Sequence, residues 1–140
     1  MKNIVYVSTA VKLLDDDQLL SILASSRKNN NERNVTGVLL YSEGTFIQAL
    51  EGDNNDVDFI FSKIEKDLRH KNMITLINEQ ISHRGFSDWL MGFSTPRAEK
   101  LKDVLGYLQS VDSLNANAGT GAAVMTIKTF IESNNLIVTY

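Results

Sequence analysis

An α+β fold is predicted for this chain, with one β-sheet carrying two helices on one of its faces. Three observations predict it. Compact apolar segments with strand-like alternation stand at 3–10, 35–52 and 73–83. Longer segments with helical spacing and polar ends separate them, at 14–31 and 53–72. The polar turn Ser42-Glu43-Gly44 divides the middle apolar segment into the two strands of a hairpin. The resulting order, strand–helix–strand–strand–helix–strand, is the ferredoxin-like split unit, whose first and third strands are central neighbours.

Taken in order, "NIVYVSTA" places Ile4, Tyr6 and Ser8 on one face and Val5 and Val7 on the other. "LDDDQLLSILASSRKNNN" reads as a helix, its aspartates suited to the positive end and its asparagines to a fraying C-terminus. Its core stripe is predicted at Leu20, Leu23 and Ala24, with a second stripe of Ile22, Ser26 and Asn29 and Asn30 just beyond. "VTGVLLY" and "TFIQALEG" form the hairpin, with Phe46, Gln48 and Leu50 on one face and Ile47, Ala49 and Glu51 on the other. "DNNDVDFIFSKIEKDLRHKN" is predicted as the second helix, N-capped by Asp53 and striped by Val57, Ile60, Phe61, Ile64 and Leu68. Lys63, Asp67 and His70 lie beside that stripe. "MITLINEQISH" is a fourth strand and "FSDWLMGFS" contains a short fifth, giving βαββαββ. Two further helices follow Pro96, "AEKLKDVLGYLQSV" and "AAVMTIKTFIESN", so the chain divides into a sheet domain at 1–95 and a helical extension at 96–140.

Composition narrows the function. With 43% hydrophobic and 22% charged residues the chain has the makeup of a globular domain, and no apolar run reaches the roughly 18 residues of a membrane span. The absence of cysteine removes disulfides, thiolate metal sites and thiol nucleophiles, and is compatible with a reducing cytoplasm, the compartment expected here. His70 and His83 lack metal-ligand spacing, so no metal site is expected. A net charge of −3 disfavours a nucleic-acid surface.

What remains is polarity where the core should be. Tyr6 and Gln48 fall on adjacent central strands and face the layer beneath the helices. A buried amide without partners costs roughly 1–3 kcal/mol. With the helices side by side, Ile22, Phe46 and Ile64 make apolar walls suited to a flat ring, whose hydrogen-bonding edge Tyr6, Asn30 and Gln48 can meet. Each residue also has an ordinary role. A strand tyrosine packs, a buried glutamine serves structure, an Asn run caps a helix, and Lys63, Asp67 and His70 form a solvated face.

The set has a known counterpart. Over residues 1 to about 95 the chain resembles the BLUF domain, a sensor of blue light using flavin. The resemblance rests on Tyr6 in "IVYVS", "RKNNNERNVTGVLLY", "GTFIQALEG", "FSKIEKDLRHKN" and "FSDWLMGF", and on the joint spacing of Tyr6, Asn30, Gln48, Trp89 and Met91. It implies an isoalloxazine ring between the two helices, from FAD or alternatively FMN or riboflavin. Asn30 then holds the ring's carbonyl and nitrogen edge with Asn29 beside it. Gln48 stands between Tyr6 and the ring, and Ile22, Ser26, Phe46 and Ile64 line it. Lys63 takes a position where many members carry Arg, and Asp67 and His70 are further second-helix positions near the ligand. The implied mechanism is a brief electron and proton transfer from Tyr6 after which Gln48 is rearranged, with Trp89 and Met91 relaying the change. The resemblance implies a photosensor without a catalytic output domain, signalling to a partner protein or through self-association. A flavin-dependent oxidoreductase and a colourless ferredoxin-like interaction module are the competing classes. An acylphosphatase-like hydrolase shares the topology, but its phosphate-cradling Arg loop is not apparent in "VSTAVKLLDD".

Overall fold

A computed structural model describes residues 1–12, 14–42, 44–86, 89–94, 125–127 and 129. Its elements are β1 (Lys2–Ala10), α1 (Asp16–Glu32), β2 (Thr36–Ser42), β3 (Thr45–Gly52), α2 (Asn54–Glu65), β4 (His70–Gln80) and β5 (Trp89–Ser94). They form one five-stranded sheet in the order β4-β1-β3-β2-β5. The β1–β3, β1–β4 and β2–β3 pairs are antiparallel, and β5 adds to β2 in parallel. This is the predicted ferredoxin-like α+β sheet, with β1 and β3 adjacent and β5 as an added edge.

The two-residue period of the strands sorts their side chains between two buried layers. Ile4, Leu39, Phe46 and Leu50 join Leu19, Ile22 and Leu23 of α1 and Val57 and Ile60 of α2 in one core. Full burial of a side chain such as Leu50 stabilises the fold by about 1.5–3 kcal/mol. On the opposite face Val5, Val38, Leu40, Ile47 and Ala49 are equally inaccessible, as are Phe86 and Ile127. The two predicted C-terminal helices lie outside the described residues except for 125–127 and 129, which are helical.

Local chemistry sets the helix ends. At the start of α1, Gln18 N–H donates to Asp15 Oδ1 (2.8 Å) and Asp15 N–H donates to Gln18 Oε1 (3.1 Å), a reciprocal capping box. The helix ends where the N–H groups of Arg33 and Val35 both donate to the Asn30 carbonyl, and Asn34 turns the chain at φ 53°. One glycine is required by space. Gly37 has φ +147°, and a Cβ there would stand 1.9 Å from the Ala49 carbonyl oxygen.

Several expectations need correction. The core stripe of α1 is Leu19, Ile22 and Leu23 with Leu20 packed partly buried against it, while Ala24 is exposed, because its side of the helix faces away from the sheet. The second helix stops at Glu65 and does not run to 72, so Asp67 and His70 are not helical positions. The Asp67 carboxylate takes the Arg69 N–H at 2.9 Å, a side chain-closed turn, and β4 starts three residues early, at His70. Leu68, assigned to the apolar stripe, therefore sits on the turn and is 88% exposed. Asp53 occupies the N-cap position of α2 without making a side-chain capping bond.

Candidate functional site

Two adjoining, partly open clefts lie between the helices and the sheet, narrow at about 50 and 80 Å³. They share Ser26, Gln48, Ile64, Asp67 and Arg69, so together they make one elongated groove.

Strand register builds the floor. Tyr6 and Gln48 are direct cross-strand partners on β1 and β3, both almost fully buried. The Tyr6 hydroxyl donates to Gln48 Oε1, which leaves the amide's NH₂ end as a donor. Burial, and secondarily the Asp67 carboxylate, hold the Tyr6 phenol above its ordinary pKa. Tyr6 is thus a neutral phenol with its proton on a hydrogen bond. Its ring meets Phe61 edge-on at 5.9 Å between centroids and His70 at 6.3 Å.

Ile22 and Ser26 of α1, Phe46 of β3 and Ile64 of α2 line the first cleft, as expected, with Ser8 and Leu39 beside them. The second cleft takes Asn29, Asn30 and Lys63, together with Ser25 and Ile60. Asn30 is 1% exposed, yet its Nδ2 has no hydrogen-bond partner among the described residues. Ser8 Oγ, lining the first cleft, is likewise unpaired. Buried polar atoms rarely go unpaired, since each such group costs about 1–3 kcal/mol. Two of them opening on one apolar-walled groove fit a flat, carbonyl-bearing ligand.

The Asp67 turn borders both clefts. Arg69 Nη2 donates to Asp67 Oδ2 at 2.6 Å and its Nε to Oδ1 at 2.9 Å. Chiefly through these bonds, Asp67 is held below the usual carboxylate range and Arg69 is held above its own ordinary value. His70 Nε2 lies 2.6 Å from the Ile64 carbonyl, which can only accept, so the ring proton sits on Nε2. Lys63 is exposed at the rim, its ammonium 4.9 Å over the Phe59 ring.

All eleven residues expected to contact a ligand therefore line this groove: Tyr6, Ile22, Ser26, Asn29, Asn30, Phe46, Gln48, Lys63, Ile64, Asp67 and His70. Sequence reasoning missed Ser8, Ser25, Leu39, Ile60 and Arg69. The alternation placing Ser8 and Leu39 on the Tyr6 face was available, whereas Arg69 was hidden by the helix assigned across the turn. The side chains of Trp89 and Met91 lie outside the described residues, but their backbone is placed. Met91 pairs with Leu39, Leu39 with Gln48 and Gln48 with Tyr6, in one row across four strands. Trp89 pairs with Gly37 at the start of β5.

Among the described residues no cluster of His, Asp or Glu could hold a metal ion, and no helix is long and apolar enough to cross a membrane.

Comparison with known proteins agrees with this geometry. The family profile described as "BLUF: Sensors of blue-light using FAD" matches residues 1–92. The photoactivated adenylate cyclase subunit alpha of Euglena gracilis is 32% identical over 93 residues, covering 65% of this chain and 9% of that protein. The subunit beta of the same organism is 44% identical over 62 residues, 44% of this chain and 7% of its own. The chain thus spans less than a tenth of these curated relatives. The structure of a bacterial light-regulated adenylyl cyclase superposes with a TM-score of 0.62 at 32% identity, covering 95% of this chain and 33% of that one. BlrB, a BLUF protein in its dark state, superposes with a TM-score of 0.64 at 26% identity over 94% of this chain and 95% of its own. The chain belongs to the BLUF family, the flavin-based sensors of blue light.

Proposed function

We propose that this chain is a blue-light receptor that holds FAD non-covalently in the groove between α1 and α2, with residues 1–95 as the sensor and 96–140 as its helical extension. The observation that carries the reading is the Tyr6–Gln48 hydrogen bond at the floor of a groove whose buried Asn30 amide lacks a partner. When bound, a flavin excited by blue light supplies a strong one-electron oxidant. Tyr6 is the donor, and its phenolic proton already points at Gln48. Gln48 carries a donor and an acceptor on one planar group, so a rotation or tautomerisation exchanges which of them faces Tyr6. Asn30, with Asn29 beside it, orients the ring edge, and Ile22, Ser26, Phe46 and Ile64 hold its faces. Lys63, Asp67 and His70 position the rim.

A single exchanged hydrogen bond is worth only about 0.5–1.5 kcal/mol, so the signal needs a structural element poised between two arrangements. β5, with Trp89 and Met91, is that element, and its row alignment with Gln48 supports the assignment. The output passes to a downstream signalling protein or to a second copy of the chain in the cytoplasm, without a catalytic domain in this sequence. FAD is favoured by the family description, and FMN and riboflavin carry the same ring.

The test is the light-minus-dark absorption spectrum of protein loaded in turn with FAD, FMN and riboflavin. A reversible red shift is expected. Gln48→Leu should keep the flavin and lose the shift, and Tyr6→Phe should lose the reversible photocycle. An unchanged shift in Gln48→Leu rejects the mechanism. Bleaching by NADPH with no light-induced shift makes the chain an oxidoreductase, and a protein that stays colourless with every flavin makes it an interaction module.

A further inference from the structure

The connection from β4 to β5 carries the chain from one edge of the sheet to the other. Among its described residues Ile81 N–H donates to the Met1 carbonyl, and a denser set of bonds gathers around Glu51. Glu51, the neighbour of Leu50 on β3, is 1% exposed on the face opposite the groove. Its carboxylate accepts from the backbone N–H of Gly85 through Oε2 (3.1 Å) and of Phe86 through Oε1 (2.5 Å). Arg84 closes the other side. Its Nη1 donates to Thr36 Oγ1 at 2.7 Å and to the Glu51 carbonyl at 2.8 Å, and its Nη2 to the Asn34 carbonyl at 2.8 Å. The Thr36 hydroxyl, accepting from Arg84, donates onward to the Phe86 carbonyl at 2.7 Å. The Phe86 side chain is fully buried.

We propose that Glu51, Arg84 and Thr36 form a clasp that sets the register of β5 against β2 and so places Met91 in the row of Gln48. β5 needs such a device. It is a six-residue edge strand with β2 as its neighbour and a glycine, Gly92, inside it. Short, glycine-containing edge strands specify register weakly, and a slip of one residue moves every side chain to the other face. Phe86 precedes Trp89 by three residues, a reach of about 10 Å, so fixing Phe86 leaves little slack for a slip. Thr36 holds the Phe86 carbonyl one residue before Gly37 meets Trp89 and the β2–β5 register begins. The clasp residues touch neither cleft, and they act as positioning residues. Their role in signalling rests on the photoreceptor reading above, whereas their role in register does not.

The experiment is hydrogen–deuterium exchange on the full FAD-loaded chain in darkness and under blue light. Glu51→Gln keeps the size of the side chain but presents an NH₂ to one of two N–H groups. Exchange in the peptide 89–94 should rise roughly tenfold or more, with β1 and β3 unchanged. Thr36→Val should act in the same direction and Thr36→Ser should restore the parent value, which keeps the test decisive if Glu51→Gln does not fold. Under light, the absorption shift should keep its size in these variants while the light-induced exchange change in β5 is lost. Unaltered exchange at 89–94 in both Glu51→Gln and Thr36→Val overturns the clasp, and so does a uniform rise across β1, β3 and β5. If the parent protein shows no light-induced red shift, the photoreceptor reading fails, and the dark exchange still decides the clasp.

Discussion

Gln48 and Glu51 lie on the same strand, both almost wholly buried, on opposite faces of the sheet. Around Glu51 most polar groups close on one another, with two backbone N–H groups on the carboxylate and three oxygens around one guanidinium. Only Asn3 Oδ1, across the strand pair, is left buried there without a partner among the described residues. Around Gln48 they stop short. Tyr6 is satisfied, but Asn30 Nδ2 and Ser8 Oγ open on the groove unpaired. Closed polar networks rigidify a fold, while unpaired buried polar atoms lining a groove are placed to meet a ligand. The same strand thus carries a structural clasp on one face and a binding edge on the other.

That contrast can be broken first at Glu51. Glu51→Ala should lower the stability of flavin-free protein by about 3 kcal/mol, read from urea unfolding, because it leaves the N–H donors of Gly85 and Phe86 without their acceptor. A loss under 1 kcal/mol would put the two faces on a par. Asn30→Ala should do the reverse. Flavin-free stability should stay within about 1 kcal/mol of the parent, while flavin affinity measured by fluorescence quenching falls roughly tenfold.

The next effect is one of pH. An unfolded phenol ionises near pH 10, whereas Tyr6 holds its proton to higher pH, so its neutral form stabilises the fold. That contribution is complete below about pH 10 and is lost as pH climbs toward the raised value. Phenolate absorbance of the parent and of Tyr6→Phe should therefore coincide in the folded protein near pH 10, the other tyrosines supplying the signal. The smallest effect belongs to Asp67, whose depressed pKa gives a contribution present above about pH 4 and lost as pH falls through its folded value. Asp67→Asn should flatten that part of the acid-unfolding curve slightly, since the pair is partly exposed.

Most of the strands and the groove were legible in the sequence. Period-two alternation put Tyr6 and Gln48 on one face, and the split βαββαβ order made their strands neighbours. The helix phases were less legible. Apolar residues in α1 fit more than one stripe, and packing against the sheet decided between them. At 66–70 the helical spacing of Ile64 and Leu68 outweighed a turn signal, although Asp67 and Arg69 close that turn with their own side chains. The family resemblance brought Asp67 and His70 to the right groove for a different local reason.

By itself the sequence determined what adjacent residues decide, namely strand alternation, the hairpin turn and the acidic start of α1. Such features depend on contacts a few residues apart, and their periods survive in one dimension. The phenol–amide pair, 42 residues apart, followed only once the order of elements made two such strands neighbours. Only the tertiary structure decided that Arg84 would meet Asn34 and Thr36, that Glu51 would hold the connection to β5, and that Asn30 would be buried with an unpaired amide. Those facts depend on groups tens of residues apart. Whether a buried polar atom finds a partner is settled only once every neighbouring segment has been packed around it.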